Sequence, residues 1–363
     1  MKILDWYIIK NFLVTFLFTI LALTVVAVVI DSSEKTDDFV KSGLGTWQII
    51  TEYYTGFVPF IISMIFPLMV FIAVIYFTSK MAGRAEVIVI LANGIRFNRY
   101  LRPYFIAGTF LALVLLYCNW YVFPKGNEIR SEFQINHIDK NSSYYAGMSN
   151  ANTFYLKNDP STYIAIRYYD TASKISGGFA MLKIKDNKVV YNLRSDVIKW
   201  DTAKKNWRIE NGFERKIDGI KETIRLIPAL NLQLNLTPKD LRRDEYLKDK
   251  LSSPELQRFI QLEELRGTEG LNTYKVEYYR RMATPVSVLI MTILGATIAC
   301  RKTRGGSGLH LAFGLVSAAL FVVMDKFSTV FSTKGDLHPF IAAWLPNLIF
   351  GIVAWWVYKK TPR

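Results

Sequence analysis

Six long runs without a single charged side chain punctuate this sequence, and they decide what the chain can fold into. Phe12–Ile30, Tyr53–Phe77 and Tyr104–Phe123 come early; Met282–Cys300, Leu309–Met324 and Pro339–Tyr358 come late. An α-helix needs about 20 apolar residues to cross a hydrocarbon core roughly 30 Å thick. Each run is near that length, and Leu309–Met324, the shortest, reaches it with flanking residues. One such run could be a buried core helix of a soluble protein, but six in one chain of 363 residues read as six membrane spans. The mean hydropathy of +0.18 is too low for a chain that is all membrane, so a polar insertion must accompany the spans. Pro59, Pro67 and Pro285 fall inside spans, where neighbouring helices can satisfy the backbone groups a proline frees. The first run is too long for a signal-peptide core, and Asp31-Ser32-Ser33 is a poor cleavage site, so it is expected to be a retained helix.

The charges between the spans orient them. Lys2, Lys10, Lys80, Arg84, Arg96, Arg99, Arg102, Arg301, Lys302, Arg304, Lys359, Lys360 and Arg363 fall on one side, and only Lys35, Lys41, Lys326 and Lys334 on the short loops of the other. The positive-inside rule then places both termini in the cytoplasm and the long central segment outside it. This accounts for much of the formal charge of +15 and removes the need for nucleic acid as a partner. The central segment carries 26 basic and 20 acidic residues, an excess compatible with anionic headgroups or with an ordinary solvated surface.

That central segment reads first as strands. Short stretches rich in Tyr, Ile, Val and Trp run over Thr153–Lys157, Thr162–Tyr169, Gly178–Lys185, Lys188–Arg194, Val197–Trp200, Asn206–Lys216, Glu222–Ile227 and Leu230–Leu236, separated by polar turns. About eight strands without an intervening helix predict a sandwich or jelly roll. After Pro238, Ser252-Ser253-Pro254-Glu255 is a capping box that opens a helix to about Leu265. The expected fold is therefore a polytopic α-helical membrane protein of six transmembrane helices with an inserted all-β, jelly-roll-like domain. Its divisions are residues 1–124 (three spans, with a cytoplasmic loop at 78–102), 125–275 (the outer domain) and 276–363 (three spans).

Enzymatic signals are sparse. No P-loop motif occurs, and Gly305-Gly306-Ser307-Gly308 lacks the lysine and the preceding strand that a phosphate loop needs. His137, His310 and His338 are dispersed, and Cys118 and Cys300 fall at opposite membrane faces, so neither a metal site nor a disulfide is expected. No cofactor is expected.

Several local sequences, in order, resemble the LptF/LptG permease family (also YjgP/YjgQ) of the lipopolysaccharide export system. Arg84-Ala85-Glu86-Val87-Ile88-Val89-Ile90-Leu91-Ala92-Asn93-Gly94 is similar to that family's cytoplasmic loop, with an acid followed by a small-small-glycine end; Asn93 stands where serine is more usual. Asn119-Trp120-Tyr121-Val122-Phe123-Pro124 resembles its exit from span three, Arg280-Arg281-Met282-Ala283-Thr284-Pro285 its fourth span, and Ala342-Ala343-Trp344-Leu345-Pro346-Asn347 its last. Asn235-Leu236-Thr237-Pro238 and the region of Asp325 look more like LptG than LptF.

The resemblance implies a permease without its own ATPase site, paired with a second six-span subunit, either a paralogue or a copy of itself. It also implies a cytoplasmic ABC ATPase dimer, periplasmic jelly-roll bridge proteins, and lipopolysaccharide entering between spans one and five. Arg84, Glu86, Ala92, Asn93 and Gly94 are the expected ATPase-coupling positions on a short helix that Gly94 ends in a left-handed conformation. Glu86 is the only acid among five basic residues of that loop, so a local ion pair with Arg84 is the competing reading. Lys35 and Lys41, which follow span one, are the expected contacts to the lipid's acidic head; four neighbouring acids offer them local partners instead. A permease of another lipid or lipoprotein exporter would arrange its spans differently around the outer domain, and a membrane-anchored scaffold would need fewer of them.

Overall fold

A computed structural model describes residues 2–138, 154–170, 175–186, 188–202, 204–219, 221–234, 236, 246–266, 270–301 and 306–361. Thr153, Asn235, Thr237, Pro238, Lys302, Arg304, Gly305 and Arg363, all used above, lie outside them. The chain forms two compact units. One joins Met1–Ile138, Lys248–Gln257 and Asn272–Arg363; the other joins Asp139–Leu247 and Arg258–Leu271.

In chain order the helices are α1 (Ile3–Glu34), α2 (Thr36–Ser42), α3 (Thr46–Ile49), α4 (Thr55–Gly83), α5 (Glu86–Ala92), α6 (Phe97–Tyr117), α7 (Phe123–Phe133), α8 (Leu247–Lys250), α9 (Ser253–Arg266), α10 (Asn272–Ala299), α11 (Gly306–Lys334) and α12 (Pro339–Lys359). Among the described residues six segments are long and apolar enough to cross a membrane: Ile3–Glu34, Thr46–Gly83, Phe97–Ile138, Asn272–Ala299, His310–Lys334 and Pro339–Lys359. Four of them contain an uncharged run whole, and Asn272–Ala299 and His310–Lys334 each cover theirs to within one residue. The core of the helical unit gathers Phe12, Val70, Val74, Tyr104, Leu115 and Val288 from α1, α4, α6 and α10. A second cluster joins Phe71 and Ile75 to Met291, Ala318 and Phe350 of α10, α11 and α12. At its start α1 is fixed by Asp5, which accepts two 2.7 Å hydrogen bonds from the guanidinium of Arg99 on α6. The same carboxylate accepts the Lys2 N–H at 2.8 Å, closing the first turn.

Prolines test this packing most sharply. Pro285 has no N–H to give the carbonyl of Arg281, four residues back. The side chain of Asn119 donates to that carbonyl instead, at 3.2 Å. Pro346 leaves the Ala342 carbonyl in the same position, and the Ser328 hydroxyl on α11 donates to it at 2.6 Å. A neighbouring segment thus restores each backbone bond, which hydrocarbon could not do. Asn347 adds a donor of its own, to the Ala283 carbonyl at 2.7 Å. Where α4 crosses α7, Gly56 and Gly126 let the backbones meet: a Cβ on Gly56 would lie 2.5 Å from the Gly126 carbonyl oxygen.

The second unit is a six-stranded antiparallel sheet: β1 (Phe154–Asp159), β2 (Thr162–Asp170), β3 (Ile175–Lys185), β4 (Lys188–Asp201), β5 (Asn206–Asp218) and β6 (Lys221–Leu232). The inserted all-β domain is therefore present, and its described strands pair in chain order, so successive strands neighbour one another throughout. Six strands replace the eight expected because two pairs fuse. Lys188–Arg194 and Val197–Trp200 are one strand, β4, and Glu222–Ile227 continues into Leu230 as β6. The interruptions that resembled strand ends form a crease across the sheet. Asp196, Asn211 and Pro228 are each passed over in the pairing of β4, β5 and β6, and Gly178 is passed over opposite β4. Gly178 and Asn211 take positive φ there, +64° and +54°. The Ser195 hydroxyl bridges the crease by donating to the Glu210 carbonyl at 2.8 Å. The strand expected to reach Leu236 ends at Leu232; the Leu236 carbonyl accepts the buried Trp207 indole N–H at 2.7 Å. That bond draws the chain out of the strand path and against the sheet's core of Ile164, Phe179, Leu193 and Ile209.

Replacing Asn119 with leucine should leave the Arg281 carbonyl unpaired and cost about 1–3 kcal/mol. With Pro285→Ala also in place the restored N–H should recover most of that loss. Thermal unfolding of the four variants of this cycle in detergent measures the coupling; purely additive effects would exclude the repair.

Candidate functional site

The loop between the second and third spans folds as a short, exposed helix held by its ends. Ala85 takes φ +61° and turns the chain out of α4, and its N–H reaches back to the Ala82 carbonyl at 3.0 Å. Within α5, Val87 alone is buried, while Ile88 and Val89 lie exposed. The run Val87–Leu91 is strand-like by propensity, yet one buried side chain and two good ends hold it helical. At the far end the Asn93 side chain donates to the Val89 carbonyl at 2.8 Å, and the Gly94 N–H donates to the Leu91 carbonyl at 3.0 Å with φ at +78°. A Cβ at Gly94 would meet nothing within 4 Å, so glycine serves conformation alone. Ala92, Asn93 and Gly94 are exposed.

Glu86 opens α5. One of its oxygens accepts from the Tyr7 hydroxyl of α1 at 3.2 Å, and the other lies 3.8 Å from the Arg84 guanidinium, whose side chain is 61% exposed. The pair with Arg84 exists but is long and solvated, the kind that contributes about 0–1 kcal/mol. The contact with Tyr7 was not anticipated. Its signal is spacing: Tyr7, Asn11 and Thr15 recur every four residues, a polar stripe on an otherwise apolar helix. All three line a recess of about 110 Å³ with Tyr76, Lys80 and Glu86.

Lys35 and Lys41 lie in helical chain beyond the first apolar run. Helix continues through this region, with Lys35 at the junction of α1 and α2 and Lys41 in the last turn of α2. Six positions along a helix separate two side chains onto different faces. Lys35 is half-buried: its ammonium lies 3.4 Å from the Asp31 carboxylate, hydrogen-bonds the Tyr53 hydroxyl and sits 4.6 Å from that ring's centre. The Tyr53 hydroxyl in turn donates to Asp31 at 3.1 Å. Tyr53 is fully buried among Phe39, Phe57 and Phe133. Local pairing thus describes Lys35, whereas Lys41 is exposed. Nothing in the sequence pointed to Tyr53, because the partner it serves lies 22 positions away.

β6 pairs only with β5 among the described residues and is exposed over most of its length, so it forms one edge of the sheet.

The lipopolysaccharide export system permease family LptF/LptG matches residues 6–360. The chain belongs to the LptF/LptG permease family. Its relatives include the Lipopolysaccharide export system permease protein LptG of Escherichia coli K12, 22% identical over 368 aligned positions that cover 99% of this chain and 98% of that protein. LptG of Haemophilus influenzae is 20% identical over 365 positions, with 98% of each chain covered. As an LptF/LptG permease the chain is a transport subunit rather than an enzyme.

Gly94→Ala should loosen the end of α5 by about 1–2 kcal/mol, the cost of a left-handed residue with a Cβ. Hydrogen exchange should accelerate at the α5 amides and leave α4 and α6 unchanged; uniform acceleration would point to a wider role.

Proposed function

We propose that this chain is the transmembrane permease subunit of an ABC transporter that extracts lipopolysaccharide from the bacterial inner membrane and passes it to a periplasmic bridge of jelly-roll proteins. The observation that carries this reading is the family match along nearly the entire chain, on a fold of six apolar helices with one β insertion between the third and fourth. Both termini and α5 lie in the cytoplasm, and residues 125–275 face the periplasm. The charge asymmetry of the short loops supports this orientation.

The permease works as half of a pair with a second six-span subunit. α1 and α11 are the least buried spans, and both display apolar faces: Phe18, Leu21 and Val25 on one, Leu320, Phe327 and Phe331 on the other. Apolar faces this extensive call for cover by lipid or a partner helix. They support lateral entry of lipopolysaccharide between spans one and five of facing subunits. The exposed Ile88 and Val89 of α5, with Glu86 at its start, suit docking into a cytoplasmic ATPase dimer, which supplies the hydrolysis this chain has no motif for. The open edge at β6 supports strand addition by a bridge protein. Lys41 presents its charge to acidic groups of the lipid, and Lys35 reaches them by exchanging its Asp31 partner. The LptG relatives favour LptG as the subtype.

Glu86→Lys should uncouple ATP hydrolysis from transport, while the permease still assembles. Normal hydrolysis-driven export by that variant would sink the role given to Glu86. Lys35→Asp with Lys41→Asp should abolish lipopolysaccharide crosslinking and export, with ATPase copurification retained. Intact export would leave both lysines as partners of local acids.

A further inference from the structure

Inside the helical unit a cavity of about 610 Å³ opens among α4, α7, α8, α10, α11 and α12. That size falls in the range of about 300–1,000 Å³ found for ligand sites. None of the coupling positions, and neither Lys35 nor Lys41, lines it.

The cavity has two chemically distinct parts. Met64, Pro67, Phe71, Met291, Ala318 and Phe321 make one part apolar. The other gathers Lys248, Asp249, Glu277, Arg280, Asp325 and Lys326. Arg281, also in its wall, is fully engaged: it donates to the Lys248 carbonyl at 2.8 Å, the Leu251 carbonyl at 2.7 Å and the Glu277 carboxylate at 3.3 Å. Arg280 is not. One of its nitrogens donates to Glu277 at 2.6 Å, another stands 3.7 Å from Asp325, beyond hydrogen-bond reach, and the side chain is 31% exposed. A guanidinium has five N–H donors, so Arg280 can serve an anion without releasing Glu277. Counting Lys334, five cations line the cavity against three carboxylates. Asn127 adds the opposite demand. Its amide nitrogen donates to the Asp249 carbonyl at 3.1 Å, while its Oδ1 is buried without a partner. Burial also raises the Asp249 carboxyl above its usual range, with the neighbouring Glu277 as the next cause. The polar part therefore asks for an anion and, beside it, a donor. Water alone suits the polar part but not the apolar one. The cavity also has a lateral mouth: Met64 on α4 is 57% exposed and Val322 on α11 is 40% exposed.

We propose that this cavity is an intrasubunit lipid site, which holds the phosphate of a membrane amphiphile beside Arg280, its donor-bearing headgroup toward Asn127, and one acyl chain in the apolar part. The acyl chain enters sideways between α4 and α11. The shared chemistry, a phosphate with an acyl chain, fits a bilayer phospholipid of the ethanolamine type or an arm of lipopolysaccharide.

The test uses the assembled transporter in nanodiscs that contain phosphatidylethanolamine with a diazirine on its acyl chain. Photolysis without ATP and peptide mass spectrometry give a labelling map. We expect adducts at Met64, Phe71, Met291 and Phe321 at several times the frequency of those at the exposed Phe110 and Leu113. Val322→Trp or, separately, Met64→Trp narrows the mouth and should lower labelling at Phe71 and Met291 at least fivefold, leaving Phe110 unchanged. Arg280→Gln should lower labelling there by the phospholipid probe but not by a diazirine diacylglycerol, which has no phosphate. Cavity labelling no higher than on exposed faces, or unchanged by both mouth variants, overturns the proposal. Competition by excess lipopolysaccharide assigns the site to the exported lipid; persistence assigns it to the bilayer, and either outcome keeps the site. Because the readout needs neither hydrolysis nor export, it stands apart from the transport reading.

Discussion

Within hydrocarbon no water is available to complete a backbone hydrogen bond, and the helical unit is arranged around that constraint. At Pro285 and Pro346 a continuous helix would lose a bond, and in both places the loss is repaired from outside the helix. Asn119 serves the carbonyl that Pro285 abandons, and Ser328 serves the one that Pro346 abandons. These bonds fix α10 against the end of the third span and α12 against α11. Specific polar contacts set which helices are neighbours, since apolar side chains gain little by leaving lipid for one another. Small residues complete the scheme: Gly108 faces Thr292 so closely that a Cβ would lie 3.1 Å from it, and Gly295 meets Phe71 at the same distance.

The six spans were legible because a run of some twenty uncharged residues has few alternative fates. The helical nature of α5 was legible in part. Its left-handed glycine could be read from Gly94, whereas the turn at its start depends on Ala85 in a conformation that alanine seldom adopts. In the β unit, type and order of strands followed from alternation, but their number did not. Ser195-Asp196 and Pro228 interrupt the pattern as a turn would, and only the pairing of adjacent strands shows that they form a crease instead. A local rule cannot separate a strand that ends from one that bends.

Charge was harder to read than hydrophobicity, and for a physical reason. Counting cations along loops predicts which side of the membrane they prefer, and says nothing about their partners. Arg99 belongs to the basic set that orients the spans, yet it also makes a two-pronged pair with Asp5, 94 positions away. For Lys35 the sequence offers four neighbouring acids and no means to choose among them; helix formation set Asp31 one turn before it, and the fold brought Tyr53 against both. A buried phenol that links a carboxylate and an ammonium is a tertiary fact, with no local signature.

The two arginines that begin the fourth span carry this argument furthest. Side by side in sequence, Arg280 and Arg281 look interchangeable, but a helix turns by about 100° between them. Arg281 points to α8, where the carbonyls at that short helix's end accept its charge, as helix C-termini favour. Arg280 points to the cavity, and α11 answers with Asp325 at a distance too great to close the bond. Glu277, one turn earlier, neutralises both. One arginine therefore anchors the connector to the span, while the other keeps donor capacity beside an open, partly apolar space. In a bilayer such a charge needs either burial with a partner or access to polar groups. Its position among the charged groups of that cavity's polar part meets the second condition.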